Sequence, residues 1–137
     1  EVAVSRRVVD LQPDALARLN AIMHPRMYEM LKERLEELRQ QGTAVAVVEA
    51  AVLIEAGWTP LVDEVWVTEA EEDVVVGRVR LRSNLSEEEI RRRIRSQLSR
   101  EERASHATAV IENNGGLEEL HQRVQELWDS RVQGRVK

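Results

Sequence analysis

With 137 residues, 42% hydrophobic and 33% charged, the chain has the size and composition of one globular domain with a real core, which excludes a disordered polymer. It contains no cysteine, which excludes a disulfide framework, a thiolate metal site and a cysteine nucleophile. The net charge is −5, yet the nine arginines and five glutamates from Arg78 to Arg103 give that stretch +4 and leave −9 on the rest, a pattern that points to a local anion site more than to general nucleic-acid binding.

The chain starts "EVAVSRRVVD", without an initiator Met and without the apolar region of a signal peptide. No stretch approaches the ~20 apolar residues of a membrane span. A cytoplasmic location and no membrane partner are the expectation. From Asp14 to about Met23, Leu16, Leu19 and Ile22 fall on one side of a helix that Pro13 starts. His24-Pro25 is expected to interrupt it, because a residue before proline avoids the α region. A second helix carries Met27, Met30, Leu31, Leu35 and Leu38 and stops at Gly42.

"TAVAVVEAAVLI" has no polar alternation and reads as a parallel strand covered on both faces, about 44–50. Its apolar run meets Glu55 and Gly57, which suggests a strand whose carboxyl end opens onto a ligand. A plain strand exit is the blander alternative. A second strand follows at 62–68, then helix to about Arg82. "NLSEEE" leads into a capping box, Ser86 with Glu89, and a helix with Ile90, Ile94 and Leu98 at steps of four. "ATAVIENNGG" is a strand, 108–112, and a turn; a last amphipathic helix carries Leu117, Leu120, Val124, Leu127 and Trp128. Strands separated by helices make an α/β layer fold with a parallel sheet.

His24, His106 and His121 have no metal-ligand spacing, so no metal site is expected. His121 reads as solvated, and His24 as a cap before Pro25 or as a ligand contact. Arginine clamps phosphates bidentately, and Arg78, Arg82, Arg92, Arg95 and Arg103 flank a loop. The bland reading is a solvated helix face. One Tyr and no Phe argue against base stacking, so no nucleic acid is expected. No GxxxxGK[ST] phosphate loop occurs in the 137 residues.

Five collinear stretches resemble dephospho-coenzyme A kinase: "LARLNAIMHPRM", "VVEAAVLIEAGW", "VDEVWV", "RVRLRSNLSEEEIRRRIRSQLSREER" and "ATAVIENNGGLEEL". They are similar to roughly the last two-thirds of that fold. The resemblance implies a partial P-loop-kinase-like three-layer parallel sheet with strands at about 44–50, 62–68 and 108–112, flanked by helices. It implies a single incomplete kinase domain: substrate-side helices over 1–42, lid and flanking helices over 69–106, last strand and helix over 107–137. The phosphate loop, with its Lys and Ser/Thr, and the acid that activates the acceptor lie upstream in the family. Its strand runs between the equivalents of 44–50 and 62–68, so a missing amino-terminal segment or a second copy is expected to complete the sheet.

By the same resemblance, Arg82 is the catalytic lid arginine. His24 and Glu55 lie on the substrate side, and Arg78, Arg103 and Asn113 contact the nucleotide. The family uses ATP with Mg²⁺ and phosphorylates the ribose 3′-hydroxyl of dephospho-coenzyme A; this chain alone is expected to bind no cofactor and to be inactive. The alternative is a non-catalytic binding or oligomerisation module. Two departures stand out. Ser83 and Asn84 follow Arg82 where the family has Arg then Asp or Asn, and Thr108 stands where it has Asp.

Overall fold

The computed structural model describes residues 13–135. The start read as lacking a signal peptide lies outside them. The chain divides into two compact units, residues 1–51 and 52–137.

In the first unit one helix, α1 (Pro13–Gln40), runs unbroken for 28 residues with Pro25 inside it. The interruption expected at His24-Pro25 is therefore absent. Proline removes one helical bond, here the one to Ala21. More than three turns before it and about four after supply enough cooperative propagation for the helix to pass through. The stop at Gly42 is as expected. Gly42 takes φ +72°, and its N–H donates to Arg39 O while Thr43 N–H donates to Leu38 O, both 3.0 Å. These two bonds form a Schellman cap, which only glycine makes without strain.

Residues 44–50 form no strand, contrary to expectation, and Val47 is 83% exposed. An apolar run becomes a strand only when a neighbour supplies a ladder, and among the described residues none reaches it.

The second unit opens with a surprise at Glu55. Instead of a strand end, 52–57 is a hydrogen-bonded turn: Ala56 N–H donates to Val52 O, Gly57 N–H to Ile54 O and Trp58 N–H to Leu53 O. Gly57, at φ +70°, closes it as a second Schellman cap and sends Trp58 into the core. The sheet is β1 (Trp66–Glu69) parallel to β2 (Ala109–Glu112), with Trp66 opposite Ala109 and Glu69 opposite Glu112. Between them lie α2 (Glu72–Arg82), α3 (Glu87–Arg95) and α4 (Arg100–His106); α5 (Leu117–Trp128) follows β2. Trp58, Val67, Val76, Ile90 and Ile111 are buried together with one charged residue, Glu69.

Thr108, the departure at the start of the last strand, extends the ladder with its side chain. Its hydroxyl accepts from Val65 N–H at 2.9 Å and donates to Val65 O at 3.0 Å. An aspartate carboxylate could do only the first.

Two capping boxes set the helices after α2. Ser86 caps α3 with Glu89, and Ser99 caps α4 with Glu102. The first was expected; the second, which starts a separate helix after Leu98, was not read from the sequence. Ser86→Ala is expected to cost about 1 kcal/mol of stability, read as a lower denaturant midpoint at unchanged slope. The Ser86 backbone N–H holds the Glu89 carboxyl below its ordinary value, and the Ser99 backbone N–H does the same for Glu102. For Glu64 the main cause is the Trp66 indole N–H, with Arg131 and Arg135 adding. Depressed carboxyls contribute stability above the unfolded glutamate value of about 4.3 and lose it as pH falls through the lower folded values. The melting temperature is thus expected to hold from pH 7 to 5.5 and to fall steadily below about 4.3. A melting temperature unchanged down to pH 3 contradicts this.

Candidate functional site

α2 places Arg78 and Arg82 four residues apart, on one helical face. That face looks onto the carboxyl ends of β1 and β2. There a pocket of about 230 Å³ is lined by Thr68, Glu69, Ala70, Val75, Arg78, Val79, Arg82 and Asn113. Three of the residues singled out from the sequence, Arg78, Arg82 and Asn113, therefore share one pocket.

Their states differ. Arg78 is committed to the turn after β2: Nη1 donates to Asn113 O at 2.6 Å and Nη2 to Gly115 O at 2.9 Å. This fork ties α2 to the turn, which is also tied to β1 by Asn113 N–H donating to Glu69 O at 2.7 Å. Asn114 Oδ1 adds a bond from Glu71 N–H. Arg82, at the last turn of α2, is exposed and has neither a hydrogen bond nor an ion pair among the described residues.

Three other arginines nearby are engaged, while Arg92, Arg93 and Arg95 on α3, like Arg82, have no side-chain hydrogen bond or ion pair among the described residues. Arg91 holds Glu72, Asp73 and Glu87 within 3.0 Å, which raises its pKa and pins α3 to the start of α2. Arg100 donates from Nε to Glu69 Oε2 at 2.5 Å and from Nη1 to Glu71 at 2.8 Å. Its pKa is raised too, chiefly by the Glu71 bond and then by Glu69. Arg103 donates to Leu98 O at 2.9 Å and does not line the pocket.

Glu55 is exposed in the 52–57 turn and lines no part of this pocket. His24 is half-buried on α1, in the other unit. A larger hollow of about 500 Å³ runs along α1 between Glu29, Lys32, Glu33, Glu36, Glu37 and Gln40. One helix supplies all its walls, so it lacks the convergence of elements that makes a binding site.

Sequence reasoning missed Glu69. Its side chain is 3% exposed, in the pocket wall at the end of β1. The signal was present: strand side chains alternate, so Glu69 shares the buried face of Val67.

The family model described as "Dephospho-CoA kinase" matches residues 3–119. A protein named dephospho-CoA kinase in Geobacter sulfurreducens is 44% identical over 124 residues, covering 90% of this chain and 63% of that protein. Another of that name, in Dehalococcoides mccartyi, is 40% identical, covering 88% of this chain and 61% of its own. The chain thus spans about three-fifths of the length of these curated relatives. Among solved structures, TT1252 from Thermus thermophilus superposes with a TM-score of 0.68 at 31% identity over 94% of this chain and 65% of its own. A dephospho-CoA kinase from Campylobacter jejuni shares the fold, at a TM-score of 0.67 and 22% identity over 98% of this chain and 66% of its own. On the extent of the match, and with an α/β fold shared with solved relatives, the chain belongs to the dephospho-CoA kinase family.

Proposed function

We propose that this chain is the lid and substrate side of a dephospho-CoA kinase domain, in which the γ-phosphoryl of ATP passes to the ribose 3′-hydroxyl of dephospho-coenzyme A. The acceptor oxygen forms the new P–O bond, ADP leaves with the old one, and the hydroxyl proton goes to a base outside this chain. Such transfer is mostly positioning and charge neutralisation.

The observation that carries the reading is the contrast between Arg82 and Arg78. Of the two arginines that line the pocket framed by α2 and the sheet, Arg78 is held by the Asn113 and Gly115 carbonyls, whereas the Arg82 side chain has no hydrogen bond or ion pair among the described residues. An arginine kept clear of internal carboxylates is available to a phosphate. Arg78 then acts through the turn it braces, with Asn113 facing the nucleotide. Arg103 supports the base of the lid, and His24 and Glu55 belong to the acceptor side. The family's Mg²⁺ travels with ATP. Among the described residues no cluster of three or more metal-ligating side chains occurs.

The test is a chimaera placing the phosphate-loop segment of the Geobacter sulfurreducens relative ahead of residue 1. ADP release that depends on dephospho-coenzyme A supports the reading. A folded chimaera that binds ATP and releases no ADP refutes it, and favours a non-catalytic module.

A further inference from the structure

Glu69 is the buried charged residue of the described structure, and only half of its carboxylate is accounted for. Oε2 takes the short bond from Arg100 Nε, while Oε1 is buried with no hydrogen-bond partner. A carboxylate oxygen shut away from water and left unpaired is costly, and native structures rarely keep one without a use. The residue that carries it is among those lining the pocket that also holds Arg78 and Arg82.

We infer that Glu69 is a further ligand-contacting residue, whose Oε1 accepts a hydrogen bond from a neutral N–H or O–H donor on the nucleotide bound in this pocket. The inference rests on the nucleotide reading given above. Several features fix the chemistry. A carboxylate bonded to the Arg100 guanidinium serves as an acceptor, so it disfavours phosphate and favours a donor. Arg82 offers the opposite preference at the helical rim. A nucleotide therefore lies across the pocket with its phosphates toward Arg82 and its uncharged end toward Glu69. The pocket's 230 Å³ is below the roughly 300 Å³ at which whole-ligand sites begin, which suits a base or a sugar and not an entire nucleotide. The donor is either an exocyclic amine of the base or a sugar hydroxyl.

The 137-residue chain is titrated with adenosine 5′-monophosphate by two-dimensional NMR. Wild type is expected to bind, and Glu69→Gln to bind about tenfold or more weakly, the loss expected for a hydrogen bond to a charged group. A second arm needs no variant. On wild type, purine riboside 5′-monophosphate lacks the amine and 2′,3′-dideoxyadenosine 5′-monophosphate lacks the hydroxyls. Whichever is weakened about tenfold identifies the donor. If both analogues bind wild type within twofold of the parent, Glu69 makes no such contact and the inference falls, while Arg82→Ala still weakening the parent leaves the nucleotide reading standing. If wild type binds no nucleotide at millimolar concentration, this inference falls, while the kinase reading is decided by the chimaera.

Discussion

Replacing Arg82 with alanine in the chimaeric kinase is expected to lower kcat about 10³-fold while leaving ATP binding much less affected, because a positioned arginine acts chiefly on charge that develops during transfer. The structure makes this a clean experiment. Arg82 lies at the last turn of α2, is exposed, and its side chain holds no partner among the described residues, so its truncation breaks no side-chain bond there. Surface substitutions of that kind usually shift stability by no more than about 0.5 kcal/mol. Arg82→Lys is expected to recover little, since lysine keeps the charge but loses the two-pronged fork. Arg78→Ala should differ in character. It releases the carbonyls of Asn113 and Gly115, so both the melting temperature and the KM for ATP should move. Turnover of Arg82→Ala within about twofold of wild type removes Arg82 from the lid role.

Local signals were legible where chemistry is local. Ser86 and Glu89, three residues apart, announce a capping box; Gly42 announces a helix stop; both are found. The last strand, expected over 108–112, is observed at Ala109–Glu112 with Thr108 continuing it by its hydroxyl. Arg78 and Arg82 could be placed on one helical face by counting. The failures share a cause as well. His24-Pro25 is a local breaker inside a helix whose cooperativity is not local. Glu55 reads as a strand exit because an apolar run precedes it, yet the run closes on itself through Gly57. The strand expected at 62–68 begins in earnest only at Trp66, where β2 supplies partners. The bond between Glu69 and Arg100 joins residues 31 positions apart, and no spacing rule reaches across that distance.

The 137-residue chain by itself is expected to show no dephospho-coenzyme A phosphorylation in a coupled assay. It has no GxxxxGK[ST] loop, so no backbone cradle and no lysine fix the β- and γ-phosphates. The sheet bears the same signature. Among the described residues β1 is laddered on one side only, to β2, and the apolar run 44–50 has no ladder at all. By resemblance to the family, a phosphate-loop strand is expected to offer ladder partners to β1 and to the 44–50 run. Joined to that segment, these residues are expected to gain both ladder partners and a phosphate cradle. The chimaera should then slow amide exchange over 44–50 and 66–69 relative to the isolated chain, as well as produce ADP. Product formation by the isolated chain, abolished by Arg82→Ala, overturns the expectation. So does exchange protection over 44–50 that is already complete without the added segment.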